Sequence, residues 1–209
     1  MIDTHCHLTS ESLATNVSAV VDHAIADGIT RMITVGTDAR DSQASGVLAD
    51  QFDTVYFSAG IHPHEAAKAS PTDIETLSQL WKQNKCVAVG EIGLDYHYDF
   101  SPRDVQRDLL ARQLEAAADT GLPLIVHSRE AFDDTVAILK QQGCANRPAV
   151  FHCFTGTPDE AAVIAANGWR VSFTGVVTFK KLAALQSIAA AYPADQLMVE
   201  TDAPYMSPE

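Results

Sequence analysis

The sequence of 209 residues predicts an α/β protein, a (β/α)8 barrel, on three observations. Short β-branched runs alternate with longer amphipathic patterns, and eight such runs can be counted. Residues with metal-binding or acid–base chemistry fall at the C-terminal ends of these runs. The fingerprints of the common nucleotide folds are missing, since no G-x-G-x-x-G follows the first run and no G-x-x-x-x-G-K-[ST] occurs. Repeated strand–helix alternation means a parallel sheet with helical crossovers, and eight strands favour closure over an open sheet.

The predicted strands are Ile2–His5, Arg31–Val35, Val55–Ala59, Val87–Val89, Leu124–Val126, Ala149–Phe151, Arg170–Phe173 and Leu197–Val199. The clearest helix spans Ser101 to Thr120. Ser101 suits an N-cap and Pro102 the first helical position. Val105, Leu109, Leu110, Leu114, Ala117 and Ala118 fall on one face, and Gly121 stops the helix. Gly28, Gly143 and Gly168 end three others in the same way. A further helix over Lys180–Tyr192 carries Leu182, Leu185, Ile188, Ala189 and Tyr192 and stops at Pro193.

With 46% hydrophobic and 20% charged residues, the chain has ample apolar material for a core, which excludes disorder. A single domain over 1–209 is expected, with no linker, repeat or low-complexity tract. No run approaches a membrane span, and the N-terminus carries no secretory signal. Cys6, Cys86, Cys144 and Cys153 form no C-x-x-C pair, so reduced thiols and a cytoplasmic location are expected. The net charge of −13 argues against gripping nucleic acid by bulk charge. A nucleic-acid substrate would need local positive charge, and bound metal is one source. The sequence ends ten residues after the last predicted strand, at Glu209, so no eighth helix covers the seam between strands 8 and 1. The expectation is a shortened barrel, or one that covers its seam through a partner or by weak self-association.

His5 and His7 flank Cys6 and share one side of a strand. His62 and His64 follow strand 3, Glu91 follows strand 4, His127 and His152 end strands 5 and 6, and Asp202 follows strand 8. In a barrel of this kind all such ends meet at one face. Imidazole and carboxylate are ligands for zinc and similar ions, and four His, one Glu and one Asp suffice for two ions sharing a carboxylate. One histidine at a strand end is usually structural, but coincidence at so many successive ends is hard to attribute to chance. His62 suits substrate holding near the pocket mouth, whereas His64 could equally be a loop residue. Arg129 either meets an anionic group or pairs with Glu130 or Asp133. His23 reads as surface, His97 as loop, and Cys6 and Cys153 as packing residues.

These stretches together resemble one family. They are Ile2-Asp3-Thr4-His5-Cys6-His7-Leu8, Gly60-Ile61-His62-Pro63-His64, Val89-Gly90-Glu91-Ile92-Gly93-Leu94-Asp95-Tyr96, Val126-His127-Ser128-Arg129, His152-Cys153-Phe154-Thr155-Gly156 and Glu200-Thr201-Asp202-Ala203-Pro204-Tyr205. In order and spacing they are similar to the TatD family of metal-dependent deoxyribonucleases, within the amidohydrolase-like barrels. The resemblance implies a TIM barrel and two divalent metal ions. His5, His7 and Asp202 would bind one ion, His127 and His152 the second, and Glu91 would bridge them. It also implies hydrolysis of DNA phosphodiester bonds, typically from the 3′ end of single strands. Relatives continue through further helices that this sequence lacks.

The expected chemistry is attack by metal-activated water, with Glu91 and Asp202 catalytic, Asp202 taking the proton, and Arg129 and His62 orienting the substrate. Zn, Mn and Mg all remain open as the metal. An amidohydrolase acting on amides, lactones or cyclic imides is an alternative, disfavoured because Glu91 stands where many of those enzymes use a carboxylated lysine. Hydrolysis of a tRNA ester is another. A non-catalytic metal-binding protein is a third.

Overall fold

The computed structural model describes all 209 residues. Eight parallel strands follow one another in sheet order as in the chain: β1 (Ile2–Cys6), β2 (Arg31–Val35), β3 (Val55–Ala59), β4 (Cys86–Asp95), β5 (Leu124–Arg129), β6 (Ala149–Phe151), β7 (Arg170–Phe173) and β8 (Leu197–Val199). Between them run α1 (Glu11–Ala14), α2 (Val17–Ala26), α3 (Ala39–Gln51), α4 (Pro71–Leu80), α5 (Arg103–Ala116), α6 (Phe132–Gln141), α7 (Pro158–Ala166) and α8 (Ala183–Ala191). This is the expected barrel. No helix follows β8, and none of the helices is long and apolar enough to cross a membrane.

The ring closes just beyond β8. Asp202 N–H donates to His5 O at 2.8 Å and His7 N–H to Ala203 O at 2.8 Å. Asp3 reinforces the junction by accepting from Thr201 N–H at 3.0 Å and Thr201 Oγ1 at 2.7 Å. Ile2 and Val199 remain exposed at the outer face of these two strands.

Helices cover the outer faces through Phe57, Leu77, Leu110, Leu124, Leu139, Phe151, Ile164 and Trp169, all fully buried. Val35, Ala88 and Ile125 form a separate small cluster. Ile125 and His127 share the parity of β5, so this cluster is the apolar floor beneath the histidines.

Two strands are longer than the sequence pattern suggested. β4 continues past Val89 to Asp95, and β5 past Val126 to Arg129. Their ends are polar and lack the apolar signature, yet they pair in register, Gly93 with His127 and Asp95 with Arg129. β1 likewise includes Cys6.

α5 begins at Arg103, not after a Ser101 cap. Buried Ser101 instead donates to His64 O at 2.9 Å and accepts from Ala67 N–H at 3.0 Å. The helix ends at Ala116, a 3-10 turn spans Ala118–Thr120, and Ala118 is exposed. The buried face also contains Gln106 and Gln113, which no apolar pattern marks. Gln113 Oε1 accepts from Ile61 N–H at 2.7 Å and its Nε2 donates to Ile61 O at 3.0 Å. Gln106 brackets Asp95 in the same manner, at 2.8 and 3.0 Å. These two side chains pin the ends of β3 and β4, where the site begins. α8 starts three residues later than the expected Lys180, because Lys180 and Lys181 form a turn and Leu182 is the N-cap.

Candidate metal centre

Six strand ends bring His5, His7, His62, Glu91, His127, His152 and Asp202 to one face of the barrel. His5 is fully buried, and Glu91, His152 and Asp202 are nearly so. Above them opens a cavity of about 500 Å³.

Glu91 stands at the middle. Its Oε2 lies 3.4 Å from His5 Nε2. Its Oε1 lies 2.7 Å from His152 Nε2, 3.0 Å from His127 Nδ1 and 3.3 Å from His62 Nε2. On the first side, Asp202 Oδ1 is 3.3 Å from His7 Nε2 and 3.6 Å from His5 Nε2. The two carboxylate oxygens of Glu91 therefore face two separate groups of nitrogens.

The outer hydrogen bonds fix the ring tautomers. His7 Nδ1 faces the carbonyl oxygen of Val35 at 3.2 Å and must donate, which leaves a lone pair on Nε2. His127 Nε2 donates to Asp95 Oδ2 at 3.1 Å, which leaves the lone pair on Nδ1. His152 directs Nδ1 toward Glu200 Oε1 at 3.5 Å and Nε2 inward. His62 is reversed. Its Nδ1 accepts from His64 N–H at 3.2 Å, so Nε2 carries the proton and donates.

Inward ring nitrogens meet in two pairs. His5 Nε2 is 3.3 Å from His7 Nε2, and His127 Nδ1 is 3.3 Å from His152 Nε2. Ligands around a tetrahedral zinc ion lie about 3.4 Å apart. The donor set fits divalent cations. Proton affinities express the same demand for positive charge. Burial opposes the charged forms of His7, His127 and His152, but nearby carboxylates outweigh it and raise all three. Burial also works against ionised Glu91, yet the surrounding imidazoles hold it well below the usual carboxylate range. Burial, aided by cationic His152, lowers His5. His62 is pushed down to about 4, chiefly by burial, and is neutral at pH 7.

The backbone that delivers Glu91 depends on glycine. A Cβ at Gly93, where φ is +148°, would collide with the carbonyl oxygen of His127. A Cβ at Gly90 would lie 2.6 Å from Cβ of Ile125. Asp202 and Cys153, beside the ligand candidates, hold φ of +55° and +45°, a strain typical of functional sites.

The sequence matches the family described as TatD related DNase over residues 2–209. The chain belongs to this family. It is 35% identical to the uncharacterized metal-dependent hydrolase YabD of Bacillus subtilis, covering all of this chain and 82% of that protein. It is 34% identical to the 3′-5′ ssDNA/RNA exonuclease TatD of Escherichia coli K12, covering all of this chain and 80% of that one. The crystal structure of YJJV, a TatD homolog from Escherichia coli K12, superposes with a TM-score of 0.94 at 31% identity, over all of this chain and 81% of the other. The protein is thus a TatD-family metal-dependent hydrolase.

The remaining sequence readings sort by position. His64 belongs to the site's edge, with Nε2 2.8 Å from Asp95 Oδ2. Arg129 pairs with neither Glu130 nor Asp133. Its guanidinium lies 4.9 Å from the Tyr98 ring centre and lines the cavity. His62 sits deeper than the mouth position expected of it, within the Glu91 group. His23 is exposed, and His97 contacts Glu130 at 2.7 Å outside the cluster. Cys6 turns away from the ligand face, its thiol donating to Ile33 O at 3.3 Å.

Sequence reasoning missed two carboxylates of this TatD-family site. Asp95 orients His127, and Glu200 supports His152 while accepting from Ser172 Oγ at 2.6 Å and Cys153 N–H at 2.6 Å. A signal existed for Asp95, which follows Glu91 by four residues, an even spacing within one strand.

Proposed function

We propose that the protein is a two-metal nuclease that removes nucleotides from the 3′ end of single-stranded DNA. The observation that carries the reading is the placement of Glu91, one oxygen toward His5 and the other toward His127 and His152. His5, His7 and Asp202 would hold one ion, His127 and His152 the other, with Glu91 shared. Divalent ions there would acidify an attacking water and neutralise charge on a phosphodiester.

The protein's own groups supply the rest. Asp202 lines the cavity and takes the proton of the attacking water. His62, neutral with its proton on Nε2, donates to a phosphoryl oxygen. Arg129 contributes the one guanidinium or ammonium lining the cavity, and it orients the same phosphate. The exonuclease name of the Escherichia coli relative supports DNA over an amide or tRNA ester. Four unpaired cysteines suit a reducing, cytoplasmic setting. Exposed Ile2 and Val199 favour weak self-association at the seam, which light scattering at high concentration would detect.

The test is digestion of 3′-labelled single-stranded DNA with Mg²⁺ or Mn²⁺, alongside EDTA and Glu91→Ala controls. Stepwise loss of label that needs both metal and Glu91 is expected. No cleavage by folded, metal-loaded protein would overturn the reading.

A further inference from the structure

Two large aromatic side chains stand at the cavity, Tyr98 in its lining and Phe100 against Tyr98, and neither the core nor the metal centre uses them. Tyr98 is 47% exposed and Phe100 67% exposed. Their rings stack on each other, with centroids 5.3 Å apart and an interplanar angle of 21°. The edge of His64 supports both, at 5.6 Å from Tyr98 and 4.7 Å from Phe100. The Arg129 guanidinium covers Tyr98 at 4.9 Å.

The loop that bears these rings is held firmly. Asp95 Oδ1 accepts from His97 N–H at 3.0 Å and Tyr98 N–H at 2.9 Å. Ser101 closes the loop against His64 and Ala67 at 2.9 and 3.0 Å. Arg103 grips Asp99 at 2.7 Å. Ring exposure is therefore imposed by a braced loop. Leaving so much aromatic surface in water is unfavourable unless something covers it.

We infer that Tyr98 and Phe100 form a stacking platform for an unpaired nucleobase, seated on the nucleotide next to the scissile phosphate. Nucleobases present flat π-faces that stack on aromatic rings without sequence preference, and an adjacent guanidinium adds cation–π attraction and meets the phosphate. Tyr98 and Arg129 line the same cavity as Glu91 and Asp202, so base and phosphate can be held together. A base inside a duplex has both faces occupied, so the platform selects single strands. This inference rests on the proposed nuclease function and names the group that positions its substrate.

The probe is a short oligodeoxynucleotide whose 3′-terminal base is the fluorescent 2-aminopurine, mixed with the holoenzyme by stopped flow before turnover. Stacking quenches the fluorophore. Wild type is expected to quench it, Phe100→Ala to bind about tenfold more weakly, and Phe100→Trp to restore binding. In steady state, Phe100→Ala should raise KM for DNA ending in a base about tenfold more than for DNA ending in an abasic site, with kcat little changed. Wild type that cleaves DNA without quenching, or equal KM effects on both substrates, overturns the platform and leaves the nuclease reading intact. Quenching that depends on Phe100 in a protein that hydrolyses no DNA upholds the platform and overturns the nuclease reading. Neither quenching nor cleavage overturns both.

Discussion

The inward nitrogens of His7, His127 and His152 each have a partner on the far side of the ring. Asp95 behind His127 and Glu200 behind His152 fill this place with carboxylates, and the Val35 carbonyl fills it behind His7. Partners of this kind orient the ring and raise its basicity, and their loss typically costs about 10–100-fold in metal affinity or activity. Asp95→Asn and Glu200→Gln are therefore expected to weaken metal binding by about that factor while circular dichroism stays native. Isothermal titration with Mn²⁺ or Zn²⁺ checks it, and unchanged affinity would count against these roles. The sequence displayed the ligand candidates readily, because H-x-H pairs and strand-end histidines stand out from apolar neighbours. It concealed Asp95 and Glu200 because both lie where the apolar pattern has stopped, so the strand seemed to have ended before reaching them. It also put His62 near the mouth, since the His64 N–H contact that turns its Nε2 inward toward Glu91 is not revealed by spacing.

Elements carry the site only as far as their ends are fixed. The buried face of α5 does this through Gln106 and Gln113, each satisfying both backbone groups of one residue, Asp95 or Ile61. Gln113→Leu would strand the Ile61 amide and carbonyl, and each buried unsatisfied group costs about 1–3 kcal/mol. Urea unfolding should show a midpoint lowered accordingly, together with a raised KM. Gly93→Ala is expected to be more severe, because the new methyl meets backbone that cannot turn aside; little soluble folded protein should be recovered. Strand identities were evident from their β-branched centres. The full lengths of β4 and β5 were not, since Glu91–Asp95 and His127–Arg129 are polar or glycine-interrupted and are held as strand by pairing with each other. Ser101 was misread as a cap because its sequence context suits one, while the tertiary demand from His64 and Ala67 took the hydroxyl elsewhere.

At the scale of the molecule, the proposed nuclease function has a protein of net charge −13 meeting a polyanion with one guanidinium at its mouth. Few phosphate contacts by lysine or arginine mean little counterion release, so the dependence of log KM on log salt should have a slope near ~1. A steep slope would point to a basic surface elsewhere on the protein. Metal should also bind the folded form alone. Ion at 100 times its Kd would add about 2.7 kcal/mol of stability, so EDTA is expected to lower Tm measurably. The barrel itself was legible from alternation and count. Its closure was expected from the count of eight, but the residues that make it were not visible, because the junction depends on Asp3, Thr201 and the pairing of Cys6 with Ala203 rather than on any apolar run.

That junction has a consequence for the life of the chain on the ribosome. Asp3 and Thr201 lie 198 residues apart, and nearly as long a stretch divides His5 and His7 from Asp202. His5 and His7 must wait for the synthesis of Asp202 before their half of the centre can exist. A nascent chain that has not yet reached Asp202 therefore lacks one side of the Glu91 cluster, however well its earlier strands have paired.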